Sequence, residues 1–268
     1  MARKRPTVAD LRAWKGKRQL TMLRFFSIEE AEAAEKAGIE VASVPPELLL
    51  DPRYRQVAPS IFTMTGKTHL EFGSSNDYLK FCGEMLNAGA DAMYCSSSLD
   101  VVRLLSKEFV PVVGHVGLVP SRATWTGGFR AVGKTANSAM ALHDECKAYQ
   151  DAGAIAVEIE VVPVEVASEI SKRLEILLWS MGAGPGCDAQ YLFAEDILGT
   201  NRGHMPRHAK VYRNFAAEFD RLQQERIAAF KEYINDVNGG TYPEDRHVVH
   251  IEKTELDTFL KSIRSLQG

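Results

Sequence analysis

The stretch Asp151-Ala-Gly-Ala-Ile-Ala-Val-Glu-Ile-Glu160 decides the fold class. Asp151-Ala-Gly-Ala154 closes a helical pattern on a glycine, and the run behind it is short, apolar and bounded, as a buried strand is. The same joint occurs upstream at Asn87-Ala-Gly-Ala90, ahead of a second apolar run from Asp91 to Ser96. A helix that ends on glycine and hands the chain straight to a buried strand is the αβ junction of a parallel sheet.

Working outward, further strands are expected from Gln19 to Phe26, Glu40 to Val44, Ser60 to Met64, Pro111 to Val116, Ile155 to Glu160 and Leu177 to Gly182. Helical patterns separate most of them; Ser27, for example, caps a helix from Ile28 to Lys36 that stops at Gly38. Six or seven βα units with no linker between them predict a single parallel α/β domain. A closed barrel and an open doubly wound sheet both fit this rhythm. The first βα turn, Phe26-Ser27, lacks the GxGxxG of a dinucleotide fold, and no GxxxxGK[ST] phosphate loop occurs. From about Val211 to Val237 an amphipathic pattern with Phe215, Phe219, Leu222, Ile227, Phe230 and Ile234 reads as an extra helix that closes the structure. The expected division is an N-terminal arm at 1–18, a barrel-sized domain at 19–238 and a polar tail at 239–268, running over the surface or onto a neighbouring subunit.

The chain has 268 residues, 45% hydrophobic and 25% charged, which is ordinary globular composition and close to the roughly 250 residues an α/β barrel uses as one unit. A net charge of -3 gives no reason to expect nucleic acid as a partner, and Arg3-Lys4-Arg5 reads as a solvated arm. Cys82, Cys95, Cys146 and Cys187 are scattered without a CxxC pair, so neither a disulfide framework nor a cysteine zinc site is expected. With no leader pattern and no apolar run near the roughly 20 residues that span a bilayer, the expected setting is the cytoplasm, away from membranes.

In a parallel barrel, chemistry sits where strands end, so polar residues there come first. Glu158 and Glu160 fall on one face of their strand, opposite Val157 and Ile159. Paired carboxylates in a confined site raise one another's pKa, which suits acid/base work; the plainer reading pairs Glu158 with a lysine or arginine of an adjacent layer. His115 ends the Pro111 strand, where it would orient a substrate oxygen or shuttle a proton, or serve as a hydrogen-bonded structural residue. The glycine-rich stretch from Thr126 to Gly133 reads as a flap or a static turn. Gly182-Ala-Gly184 allows close backbone approach to a ligand. His204 and His208 have metal-pair spacing only on paper, with Pro206 between them, and read as loop residues.

Several phrases together resemble the ketopantoate hydroxymethyltransferase family of the phosphoenolpyruvate/pyruvate-type barrels. They are Val110-Pro-Val-Val-Gly-His-Val-Gly-Leu-Val-Pro120, Gly127-Gly-Phe129, Glu160-Val-Val-Pro-Val-Glu165, Met181-Gly-Ala-Gly184, Gly203-His-Met-Pro-Arg-His-Ala-Lys210 and Gly240-Thr-Tyr-Pro243. The resemblance runs over about 7–247 and is much stronger after 109. It implies a (β/α)8 barrel, a homo-oligomer, and transfer of a hydroxymethyl group from methylenetetrahydrofolate to an α-keto acid. Glu160 would be the base that removes the proton beside the carbonyl, and His115 would face the site.

The first half departs from the family. Magnesium there is held by two aspartates and a glutamate, and alignment puts Pro46, Gly66 and Ser96 at those places, with Tyr94 where a substrate-contacting lysine stands. No metal site is therefore expected, although Glu47 and His69 are the nearest substitutes in sequence. The enolate oxygen would then need another electrophile: His115, Lys67 or backbone amides. The leading expectation is an aldol or retro-aldol enzyme acting on a small carbonyl substrate, with Tyr94, Ser96, Glu47, His69 and Glu158 lining its pocket. The family reaction with substitute metal ligands and a non-catalytic barrel used for binding are the competing readings.

Overall fold

Strands of three to six residues are too short to stand alone, and here they close on one another. The strands are β1 (Leu20–Arg24), β2 (Val41–Val44), β3 (Phe62–Thr65), β4 (Ala92–Tyr94), β5 (Val112–Gly117), β6 (Ala156–Glu160), β7 (Leu177–Met181) and β8 (Ala189–Phe193). Each is parallel to its neighbours, and β8 pairs back onto β1 from Leu20↔Ala189 to Arg24↔Phe193, so the sheet is a closed barrel rather than an open one. This computed structural model describes residues 3–67 and 71–265.

Period-two alternation sorts the side chains. Leu20, Met22, Val41, Phe62, Met64, Ala92, Val113, Ala156, Trp179 and Ala189 pack together inside the barrel. Ala42, Val44, Val112, Val157, Ile159 and Leu178 face outward under the surrounding helices, which include Ile28–Ala37, Ser75–Asn87, Leu99–Lys107, Ala136–Asp151 and Val164–Arg173. Each such Val, Leu or Ile stabilises the fold by about 1.5–3 kcal/mol relative to exposure.

Two expectations need correction. The N-terminal stretch is not a solvated arm: Thr7 caps a helix over Val8–Trp14, and its Leu11 is fully buried in the inner cluster against the strand starts. Arg5 pairs with Asp91, and Lys15 with Asp188, which anchors the segment at the amino end of the barrel. The eighth strand, Ala189–Phe193, was not among those expected, because no helix precedes it. Gly182 to Asp188 instead runs back along the barrel, with Gly184 and Gly186 so close to Val164 and Ser168 of the covering helix that a Cβ would collide.

The chain forms two compact units, Met1–Asn214 and Phe215–Gly268. The division falls earlier than 238/239, so the amphipathic helix, Phe215–Gly239, opens the second unit rather than closing the barrel domain. The expected polar tail carries a helix of its own, Lys253–Ser265. Among the described residues of this unit none is buried, and Phe219, Phe230, Tyr233, Ile234, Val249 and Phe259 are all more than half exposed.

Candidate active site

At the carboxyl end the interior turns polar, because the last inward position of several strands is a titratable group. Glu160 and Glu158 share the inner face of β6, as their spacing predicts, while Val157 and Ile159 lie outside. His115, inward on β5, donates or accepts at both nitrogens: Nε2 lies 3.0 Å from Glu160 Oε2 and Nδ1 lies 2.9 Å from the Tyr94 hydroxyl. Glu158 Oε2 stands 3.7 Å from Nδ1. The result is a Tyr94–His115–Glu160 chain whose middle member is buried.

The backbone under Glu160 is held in an unusual shape. Val161, a β-branched residue, has φ 51, a conformation that persists only when its surroundings enforce it. Its N–H donates to Met181 O and its carbonyl accepts from Val132 N–H, while Glu160 O accepts from Leu118 N–H. Gly117 closes the other side with φ 84, and a Cβ there would sit 2.4 Å from Glu160 O. The Glu160 carboxylate is thus aimed by covalent geometry, not by chance packing.

Burial is the largest influence on the charges. It lifts the Glu158 carboxyl to about 7; His115 pulls it down, the Glu160 charge pushes it further up, and Arg24 opposes. The mutual repulsion expected between the two glutamates is therefore real but secondary. For His115 burial disfavours the imidazolium, yet the hydrogen bond to Glu160 and the charges of Glu158 and Glu160 outweigh it, and the net shift is upward. Burial, then the Glu158 charge, holds the Tyr94 hydroxyl well above the ordinary phenol range.

A second polar group faces the first across the barrel. Arg24, inward at the end of β1, donates from Nη1 to Ser43 Oγ at 2.8 Å, and its guanidinium lies 5.2 Å from the Phe26 ring and 5.9 Å from the Phe193 ring. Burial and the Glu158 charge raise the Tyr191 hydroxyl, while the Arg24 charge and hydrogen bonding to Ser43 and Arg24 work against them. Arg24 and Tyr191 were missed in the sequence. A basic residue ending an apolar run was the available signal for Arg24. Tyr191 had none, since its strand was not expected.

The other sequence candidates divide. Ser96 is buried beside the cluster, and its carbonyl accepts from Arg122 at 2.6 Å. His208 sits in a loop, as expected, with its ring against Gly182; burial lowers its pKa and the Glu160 charge opposes this, so it lies at the same mouth. Glu47 is exposed on the short helix Pro46–Leu50, which follows β2. Lys67 lies over the Phe81 ring, its Nζ 5.6 Å from the ring centre. His69 lies outside the described residues. Glu158 makes no lysine or arginine ion pair among the described residues; its neighbours are His115 and, more distantly, Arg24. The segment after β5 carries exposed Trp125, in a short helix over Ala123–Thr126, and exposed Phe129 just beyond it.

A closed parallel barrel with a hydrogen-bonded carboxylate–imidazole–phenol chain at its carboxyl mouth has the layout of an α/β-barrel enzyme. Residues 68–245 match the model of the family described as ketopantoate hydroxymethyltransferase. The chain is 34% identical over 204 residues to a 3-methyl-2-oxobutanoate hydroxymethyltransferase of Halalkalibacterium halodurans, covering 74% of this chain and 71% of the relative. It is 28% identical to one of Methylibium petroleiphilum over 97% of this chain and 95% of that one. Among solved structures it resembles a putative phosphonomutase from Burkholderia cenocepacia (TM-score 0.53, 10% identity, 85% and 100% coverage). It also resembles a 2,3-dimethylmalate lyase of the PEP mutase/isocitrate lyase superfamily (TM-score 0.50, 12% identity, 97% and 96% coverage). These likenesses bear on the fold alone. The chain belongs to the ketopantoate hydroxymethyltransferase family and is an enzyme of that hydroxymethyl-transferring class. Among the described residues no helix is long and apolar enough to cross a membrane.

Proposed function

We propose that this enzyme makes or breaks a carbon–carbon bond of aldol type beside the carbonyl of a small 2-oxo acid, adding or releasing a one-carbon hydroxymethyl unit. The observation that carries this reading is the Glu160–His115–Tyr94 chain, with Glu160 fixed by the strained Val161 peptide. Glu160 takes the proton from the carbon next to the carbonyl, and the electron pair moves to the carbonyl oxygen as an enolate. In the forward direction that carbon attacks the electrophilic one-carbon unit; the new bond forms and the unit's oxygen takes up a proton to become the hydroxyl. His115 holds Glu160 and returns protons through Tyr94, and Glu158 and Ser96 shape the pocket behind them.

The residues present do not fit the family's magnesium. Pro46 and Ser96 offer no carboxylate, and at Gly66 any Cβ would lie 2.7 Å from the Tyr94 carbonyl oxygen and 2.8 Å from its Cβ, so the space an aspartate needs is taken. Among the described residues no group of three His, Cys, Asp or Glu is placed to hold a metal ion. No step of the proposed reaction passes through one. A homo-oligomer is part of the same reading: the apolar residues exposed along Phe215–Gly239 and Lys253–Ser265 are more than a lone chain leaves in water.

The test is deuterium exchange at C3 of 3-methyl-2-oxobutanoate, followed by NMR with and without magnesium, in wild type and Glu160→Gln. Exchange that needs Glu160 but not the metal supports the proposal. A strict magnesium requirement would return the chain to the reaction its relatives are named for, and no exchange at all would remove this keto acid as substrate.

A further inference from the structure

The reading above leaves the enolate oxygen without a cation, and the barrel interior supplies one. We propose that Arg24 receives the 2-oxo acid, its guanidinium bridging the carboxylate and the carbonyl oxygen, so that a fixed organic cation stabilises the enolate where relatives use a metal. This rests on the proposed reaction and adds to it the group that binds the substrate.

Four observations converge on Arg24. It sits inside the barrel at the mouth, in register with Ser43 on β2 and Phe193 on β8. It is held in place: Ser43 takes one of its N–H donors, and the Phe26 and Phe193 rings lie beside the guanidinium plane. It forms no ion pair among the described residues, and the carboxyl nearest to it electrostatically, Glu158, carries only part of a charge at neutral pH because burial lifts it to about 7. A partly desolvated cation without a full counter-ion draws an anion into the site. Finally, the fork suits the ligand. The carboxylate and the adjacent carbonyl of a planar 2-oxo acid present two neighbouring oxygens on one edge, and a guanidinium donates two parallel N–H bonds to such a pair. As Glu160 removes the proton, negative charge grows on the carbonyl oxygen, and the interaction strengthens in the transition state, the requirement for catalysis rather than mere binding. Glu160 and Arg24 then act on one substrate from different strands, the base at the carbon and the cation at the oxygens.

The experiment compares 3-methyl-2-oxobutanoate with the neutral ketone 3-methyl-2-butanone, in chelator, using deuterium exchange beside the carbonyl for wild type, Arg24→Gln and Arg24→Lys. Thermal unfolding of each variant is recorded alongside. The expected result is a loss of about 100-fold in kcat/KM on the acid for Arg24→Gln, a smaller loss of about tenfold on the ketone, which keeps the carbonyl oxygen but lacks the carboxylate, and an intermediate loss on the acid for Arg24→Lys. Equal losses on both substrates would mean that Arg24 does not hold the carboxylate, which overturns the fork, and an unchanged acid rate in Arg24→Gln would overturn the proposal outright. If Arg24→Gln fails to fold, Arg24→Lys decides: wild-type activity on the acid refutes the fork. Wild-type protein that exchanges neither substrate removes the Glu160 reading and this one together, whereas exchange that needs magnesium and ignores Arg24 removes this one alone.

Discussion

The two halves of the barrel mouth have different histories of constraint. On β5 and β6 the chain keeps the phrases of its family, and His115, Glu160, Gly117 and Val161 interlock so tightly that none can change alone. On β1 to β4 the mouth is held differently: Arg24 and Ser43 form one hydrogen-bonded pair, Tyr94 reaches across to His115, and Gly66 lies too close to the Tyr94 backbone for a side chain. On the proposed reading, proton removal and charge stabilisation are separable parts of one site. The first depends on a backbone shape that must be inherited whole, whereas the second needs only a positive charge at the right depth.

Four measurements would break or sharpen this contrast. The largest effect belongs to the conserved-phrase half: Glu160→Gln should lower C3 exchange by about 1,000-fold without lowering the melting temperature, and a loss under tenfold would move the base elsewhere.

Next comes Glu158. Its folded pKa, about 7, lies above the ordinary 4.5, so the unfolded chain ionises first. Below 4.5 neither state pays for the charge. Between 4.5 and about 7 native stability falls as pH rises, and above about 7 the penalty is constant. Glu158→Gln should therefore gain on wild type between pH 5 and pH 8, by up to about 3 kcal/mol in urea unfolding. A gain that does not grow with pH would contradict the buried-acid assignment.

The β1 to β4 half gives the smaller effects. Gly66→Asp restores a carboxylate at a family position but must push against Tyr94, so about 2 kcal/mol of stability should be lost with no response to magnesium. A magnesium-dependent rise in either stability or exchange would show that the pocket can still be refitted for metal. Tyr94→Phe removes one hydrogen bond to His115 and should cost about fivefold in kcat/KM; an unchanged rate would leave Tyr94 as packing only.

Much of the conserved-phrase half was legible in the sequence. Glycine-closed helices ahead of apolar runs marked the strands, and period-two alternation put Glu158 and Glu160 on one face, because these signals are local. What was not legible is held together from a distance. Leu11 is one apolar residue among charges until Leu20 and Phe62 surround it. Strand β8 escaped notice because no helix announces it. Arg24 gained meaning only from Ser43, 19 residues on, and from Phe193 on the last strand, which pairs back onto β1.

The N-terminal helix has a kinetic consequence. With Leu11 wedged among the strand starts, the barrel is stoppered at one end, and everything that reaches Glu160 and Arg24 must pass the opposite rim and leave by the same way. If the keto acid sits on Arg24 as proposed, with the one-carbon partner above it, a dead-end chamber would form a queue in which the keto acid enters first and departs last. Initial-rate patterns and product inhibition should therefore be those of compulsory order.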